Sequence, residues 1–263
     1  MIRIFESPHF DDMPLTIGGL IIKLKAEGNL GDFIDANCFS RSNYQKEDEL
    51  GNRDISEKRI AHATGIRILE ELAMLKHLSL KELKLYGLDE VLLRGYALNH
   101  GAKLEFPKGI DWDKDRAIVA YLVDKFKQDL QTADEVYFPL AIRGHVDHLI
   151  VREAGLTAIK ELDRSGLKRA TSYFGEDQPY AGTAEEADWE ETKEFIETNK
   201  LTPITYQINL DEKLRLLDLY PSQTQEAYFE GVRNRALMLQ KEMQTTTPME
   251  RIYRYPRRRV SFK

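Results

Sequence analysis

Short apolar runs bounded by turn residues alternate along this chain with longer stretches in which apolar residues recur every three or four positions. These are the periods of strands and of amphipathic helices. Ile2–Phe5 reads as the first strand and the stretch from Leu15 to Gly28 as a helix closed by the glycine. Asp32–Ser40 is the second strand, and Glu57–His77 carries charges between apolar positions at helical spacing. Lys84–Tyr96 mixes a short strand with a loop, and Asp111–Gln131 opens a helix with an acidic first turn, as the helix dipole favours. Asp134–Ile142 is the most apolar strand, and a helix follows over Asp147–Gly166. Lys168–Gly175 and Leu201–Leu210 are later strands, separated by an acidic surface helix over Thr183–Lys200. Two helical stretches, Asp211–Gln223 and Gln225–Met243, complete the set. Strands alternating with helices predict an α/β sandwich with a mainly parallel sheet, whose ligands bind beyond the carboxyl ends of the strands.

Size and charge narrow the class. At 263 residues and 42% hydrophobic content, the chain buries a full core without any linker, which reads as one domain over residues 1–263. A net charge of -6 offers no footprint for nucleic acid, and the basic run Arg254–Arg259 reads as a solvated segment. Cys38 is the only cysteine, placed like a buried structural thiol, so no intrachain disulfide forms and a reducing compartment is expected. No apolar run approaches the roughly 18 residues of a membrane span, and the first residues lack a signal-type apolar region. The expected location is cytoplasmic.

Candidate chemistry gathers in two places. Directly after the first strand stands "SPHFDD", with His9 and Asp12 three residues apart and Asp11 beside them; after the apolar strand ending near Ile142 stands "GHVDH", from Gly144 to His148. Three of the six histidines thus lie in two strand-end loops. Singly, His9 reads as a hydrogen-bonded loop residue with Asp12 as a helix cap, and His148 as a surface residue capped by Asp147. Together, two histidines and a carboxylate make a set that suits zinc or another divalent metal and leaves coordination positions open. His62, His77 and His100 show no partner motif. Gly18 and Gly19, inside a helix, imply a close approach of packed structure or, less simply, a phosphate cradle without its lysine.

These motifs resemble the PIG-L/LmbE-like family of metal-dependent N-acetylglucosaminyl deacetylases. "SPHFDD" followed by Gly18-Gly19, and "GHVDH" well over a hundred residues later, carry the resemblance; "RILEE" (Arg67–Glu71), "LLRGY" (Leu92–Tyr96), "YFGEDQPY" (Tyr173–Tyr180) and "YPSQ" (Tyr220–Gln223) support it. Many members have a glutamate after the paired aspartates, where this chain has Met13. The resemblance implies a Rossmann-like three-layer sandwich and a hydrolase that removes the acetyl group from an N-acetylated amino sugar or its conjugate. His9, Asp12 and His148 would hold Zn2+ or another divalent metal, whose water would be the nucleophile. Asp11 would be the general base, His145 would stabilise the oxyanion or protonate the leaving amine, and Asp147 would orient His145. Arg67 either reaches the pocket or pairs with Glu71. Arg94 either binds substrate or fixes its loop, and Glu176, Asp177 and Tyr180 either cover the site as substrate contacts or form a plain turn. The expected partner is a small acetylated sugar or glycoconjugate, with the oligomeric state left open, a homo-oligomer included. The competing readings are a metal-dependent phosphoesterase and a non-catalytic metal- or sugar-binding protein.

Overall fold

The structure, a computed structural model, describes residues 1–96 and 109–257; His100, Arg258 and Arg259 lie outside them. Seven strands form one sheet: β1 (Ile2–Ser7), β2 (Asp32–Asn37), β3 (Glu82–Leu85), β4 (Glu135–Pro139), β5 (Thr171–Gly175), β6 (Thr202–Gln207) and β7 (Met249–Arg254). Their spatial order is β3-β2-β1-β4-β5-β7-β6. The first five in this order run parallel, and β7 lies antiparallel to both β5 and β6. The expected mainly parallel sheet is therefore present, with an antiparallel margin that the apolar pattern did not predict. Pro203 in β6 sits where a sheet tolerates proline, on the edge strand.

Eight α-helices are described: α1 (Asp12–Ala26), α2 (Glu57–Leu78), α3 (Trp112–Thr132), α4 (Val146–Ser165), α5 (Tyr180–Thr183), α6 (Glu186–Thr198), α7 (Leu210–Leu217) and α8 (Glu226–Glu242). Alternation along the strands splits the core in two. Ile4, Val136, Phe138 and Phe174 face α3 and α4, burying Leu122, Phe126, Ile150 and Ile159. Phe5, Phe33, Tyr137 and Ile252 face the other way onto Ile17, Ile21, Met74 and Leu216. Helices thus cover both faces, giving three layers. Met13 belongs to this second core and is fully buried, so an apolar packing group follows the paired aspartates. No described helix is long and apolar enough to cross a membrane.

The glycine pair has a packing cause. A Cβ on Gly19 would stand 2.5 Å from Ile208 Cγ2, and one on Gly18 3.3 Å from Leu216 Cδ1. The helix breaks its regular dihedrals at Ile17, and the Glu250 carboxylate of β7 accepts from the backbone N–H groups of Gly19 and Leu20. That carboxylate, paired with the buried Lys213, fills the place a phosphate would need, which settles Gly18-Gly19 as close packing. At the other end of the fold, Arg254 closes β7 rather than belonging to a free basic tail, and the Tyr255 N–H donates to Ser172 O.

Candidate active site

Strand order reverses between β1 and β4, since the chain proceeds from β1 to β2 and β3 on one side and from β4 to β5 on the other. In an open α/β sheet the crevice at this switch point is where ligands bind. Both sequence clusters arrive there. β1 ends at Ser7, and His9 and Asp11 lie on the turn into α1, which Asp12 begins. β4 ends at Pro139, three residues short of the expected boundary, because Ala141 and Arg143 take left-handed backbone angles (φ 60 and 67) and turn the chain sharply. Non-glycine residues adopt that conformation at a cost that the surroundings must offset. Here Asp177 Oδ2 accepts from the Ile142 N–H at 3.1 Å and Arg152 Nη1 donates to Leu140 O at 3.2 Å. His145 then caps α4 and His148 occupies its first turn.

The rings of His9, His145 and His148 stand with centroids 5.1–5.3 Å apart. Asp12 Oδ2 faces His9 Nδ1 at 3.2 Å and His148 Nε2 at 3.4 Å. The remaining ring nitrogens meet carboxylates, which can only accept, so each must carry a proton. His9 Nε2 donates to Asp147 Oδ2 at 2.9 Å, and His148 Nδ1 donates to Asp177 Oδ1 at 2.6 Å. This is the arrangement by which a carboxylate fixes the tautomer of a metal-ligating histidine. His9, Asp12 and His148 converge tightly enough to hold one cation, and two nitrogens with one carboxylate suit a divalent ion with open positions. A second grouping of His9, His145 and Asp147 also converges. It fits less well, because Asp147 is fully buried and already engaged by Arg94 Nη1 at 2.6 Å and by the Val91 N–H.

Without an ion the site is strongly polarised. Burial pulls the His9 imidazole down, but the hydrogen bonds and charges of Asp12 and Asp147 outweigh it and raise it to about 10. Burial likewise opposes ionisation of Asp12, yet the neighbouring His148 and His9 hold it at about 2. A divalent cation held here would meet an ionised Asp12 and would require His9 Nδ1 and His148 Nε2, the nitrogens facing it, to be free of protons. Asp11 behaves differently. Burial first, and then the charge of Asp12, push its carboxyl up to about 6, against the Arg67 guanidinium 4.0 Å away. His145 is lowered to about 3, chiefly by burial, so it is neutral. Its Nδ1 accepts from the Asp147 backbone N–H at 3.3 Å, which leaves the proton on Nε2.

A cleft opens above these groups, lined by His9, Asp11, Asp12, His145 and His148, and further by Arg67, Glu90, Tyr180 and others. Arg67 reaches this pocket and does not pair with Glu71: its Nη1 donates to Ser42 Oγ and to Glu90 Oε2. Glu71 accepts instead from Tyr220 OH, while Glu70 holds Ser222 and Gln223, so the "RILEE" helix anchors the "YPSQ" segment.

Four expectations need correction. The Asp147 carboxylate accepts from His9 Nε2, and it is the Asp147 backbone N–H that donates to His145 Nδ1. Asp177 accepts from His148 Nδ1 and is not among the residues lining the pocket. Glu176 is spent on a bidentate pair with Arg235 and on Tyr253. Arg94 fixes its loop by pairing with Asp147 and Asp115 and by stacking over Phe39. Conversely, Tyr44, Glu90, Gln178, Gln223 and Tyr228 line the pocket although none was singled out in the sequence as a site residue. Gln178 and Gln223 lie inside the quoted "YFGEDQPY" and "YPSQ", and Glu90 stands two residues before "LLRGY", so these three were within reach of the motifs.

A set of two imidazoles and a carboxylate, with an unligated acid and a neutral imidazole beside it, has the parts of a metal-assisted hydrolase. No family model matches the chain. It is 31% identical over 226 residues, 84% of its length and 72% of the relative's, to a 2'-N-acetylparomamine deacetylase of Streptomyces fradiae. Its fold is shared with the zinc-inhibited form of teicoplanin deacetylase Orf2, at a TM-score of 0.72 and 17% identity over 99% of this chain and 100% of the other. It is shared also with an N,N'-diacetylchitobiose deacetylase from Pyrococcus horikoshii, at a TM-score of 0.59 and 15% identity over 97% and 84%. The chain belongs to the PIG-L/LmbE-like family of deacetylases.

Proposed function

We propose that the protein removes the acetyl group from an N-acetylated amino sugar, using a divalent ion, zinc by the nature of the donor set, held by His9, Asp12 and His148. When bound, such an ion supplies Lewis acidity, bringing the pKa of a water toward neutrality and polarising a carbonyl. The observation that carries the reading is the division of labour between adjacent carboxylates: Asp12 is committed to the two imidazoles, whereas Asp11 stays outside the cluster with a carboxyl raised to about 6. A base needs that position and that affinity for a proton. Asp11 takes the proton of the attacking water. His145, neutral and protonated on Nε2, donates a hydrogen bond to the oxygen on which negative charge develops, and Asp11 passes the proton it took from the water to the departing amine. Asp147 and Asp177 hold the two ligand imidazoles in the tautomers that face Asp12. Arg67, Glu90 and the phenols of Tyr44, Tyr180 and Tyr228 present polar groups and flat apolar faces to a sugar ring.

The relative from Streptomyces fradiae supports an acetylated amino sugar as the substrate class. The test is metal analysis of protein prepared without chelator, followed by acetate release from N-acetylglucosamine and 2'-N-acetylparomamine. One equivalent of divalent metal and metal-dependent acetate release are expected. Release that persists unchanged after the metal is stripped, or no release from any N-acetyl amino sugar by the loaded protein, overturns the reading.

A further inference from the structure

Gln178 stands in the pocket wall in a way its structural surroundings do not explain. Its side chain lines the cleft, the residue is 5% exposed, and its Oε1 has no hydrogen-bond partner in the protein. A buried amide oxygen left unpaired costs stability, and native structures retain few of them. Its neighbours leave it little freedom to turn away. Glu176 is clamped by Arg235 and Tyr253, and Asp177 is held between His148 and the Ile142 N–H. Pro179 packs against α8 so closely that a Cβ on Gly231 would lie 2.5 Å from Pro179 Cβ. The backbone on both sides is thus fixed, and the amide is presented to the cleft by a rigid frame.

The rest of the wall indicates what the oxygen would meet. The described lining residues include the carboxylates Asp11, Asp12 and Glu90 and three phenols, and Arg67 is the one arginine or lysine among them. That guanidinium is already engaged with Glu90 and Ser42. Such a wall offers acceptors to a ligand that brings donors, and it offers little to a phosphate.

We propose that Gln178 is a specificity-determining residue whose Oε1 accepts a hydrogen bond from a hydroxyl or ammonium group of the bound amino sugar. The inference rests on the amino-sugar reading for the kind of ligand, but binding tests it separately from catalysis. A site built to pair with a donor rejects the analogue that lacks it much more strongly than a site that merely has room.

The experiment compares metal-loaded parent, Gln178→Met and Gln178→Glu for KM and kcat on 2'-N-acetylparomamine, N-acetylglucosamine and their singly deoxygenated or deaminated analogues. Calorimetric binding of the deacetylated amino sugars and the melting temperature of each protein are measured alongside. Gln178→Met is expected to raise KM and weaken product binding about ten- to hundredfold with kcat within about threefold. One analogue, lacking the paired donor, should bind parent and Gln178→Met alike, as a double-mutant cycle requires. If the donor is an ammonium group, Gln178→Glu binds tighter than the parent; if it is a hydroxyl, Gln178→Glu stays within about threefold of it. Because Gln178→Met removes an unpaired buried acceptor, the sugar-free variant should melt no lower than the parent. Unchanged KM and product binding in Gln178→Met overturn the inference, as does a lowered melting temperature, which would give Oε1 a structural partner. Failure of the parent to release acetate would count against the proposed function alone, since the binding arm still decides the role of Gln178.

Discussion

Asp177→Asn tests how the metal half of the site is held, because it changes one atom at a fully buried junction. Asp177 Oδ1 accepts from His148 Nδ1 at 2.6 Å, and Oδ2 accepts from the Ile142 N–H at 3.1 Å. An asparagine has one acceptor where two are needed. With its oxygen toward His148, its NH2 opposes the Ile142 N–H, and a buried donor beside the left-handed Ala141 goes unpaired, costing about 1–3 kcal/mol of stability. With its oxygen toward Ile142, its NH2 faces Nδ1 of His148 and forces the proton onto Nε2, the atom that must face the cation. Outer carboxylates of this kind are worth about 10–100-fold in metal affinity, or roughly 1.4–2.7 kcal/mol at the usual conversion. The assay is competition for the ion with a chromophoric chelator, with melting curves of the metal-free protein run in parallel. The variant should lose affinity, melting temperature or both, according to the orientation its amide adopts. Parent-like values in both measurements would refute the assignment of Asp177 as the residue that fixes His148.

Asp11→Asn should retain the metal and lower turnover by about a hundredfold or more, whereas Asp12→Asn should lose tight metal binding; metal content beside acetate-release kinetics separates the two, and an exchange of outcomes would reverse the roles. Gly231→Ala places a methyl against the Pro179 backbone, whose oxygen would be 2.6 Å from the new Cβ. It should cost about 1–3 kcal/mol in chemical denaturation and lower kcat/KM through the displaced segment; a fully active, fully stable variant would show that this contact yields easily. Asp35, raised to about 7 chiefly by burial, titrates near 4 when unfolded. Its contribution to stability is therefore fully present below about pH 4 and lost as pH rises through about 7. Asp35→Asn keeps an acceptor for the Ser7 hydroxyl, and the chelated variant should be more stable than the parent at pH 8, by a few kcal/mol at most. Equal stabilities across pH 5–8 would contradict this.

The grouping of His9, Asp12 and His148 could be nominated from the sequence because each follows a strand on the same connection, after β1 for His9 and Asp12 and after β4 for His148, and a parallel sheet brings strand ends together whatever happens in between. The partners of those members could not. The resemblance pairs Asp147 with His145, but successive helical positions turn by about 100°, so residues two apart point away from one another. The carboxylate reaches His9, 138 residues earlier. Glu176 and Asp177 failed similarly: neighbours in an extended segment alternate sides, and here one side is the Arg235 clamp and the other the back of His148. β7 escaped notice because "MERIYR" holds only Met249, Ile252 and Tyr253 as apolar groups among charges. Its Glu250 and Arg251 are satisfied by Lys213, Tyr206, Thr205 and Glu242, all distant in the chain. Tyr44, Tyr228 and Gln223 reach the pocket from three separate segments, a convergence that no local period can announce.

The same contacts explain why binding and chemistry can be altered separately. Both imidazoles expected to hold the ion have their second ring nitrogen committed, His9 to Asp147 and His148 to Asp177, and Asp147 in turn pairs with Arg94. These carboxylates are buried against Arg94 and the two imidazoles, so removing one leaves an uncompensated charge and should disturb the ion and the fold together. Asp11 has no such commitment, since its nearest countercharge, on Arg67, stands 4.0 Å away and is shared with Glu90. A carboxylate left loose beside a rigid cluster can take up and release a proton without moving the ligands. If that distinction is real, substitutions should fall into two groups: those at Asp147, Asp177 and Arg94 lowering metal affinity and melting temperature in proportion, and those at Asp11 and Gln178 leaving both while changing kcat or KM. A substitution at Arg94 that reduced turnover while leaving metal affinity and melting temperature untouched would break the grouping and return that residue to the substrate side of the site.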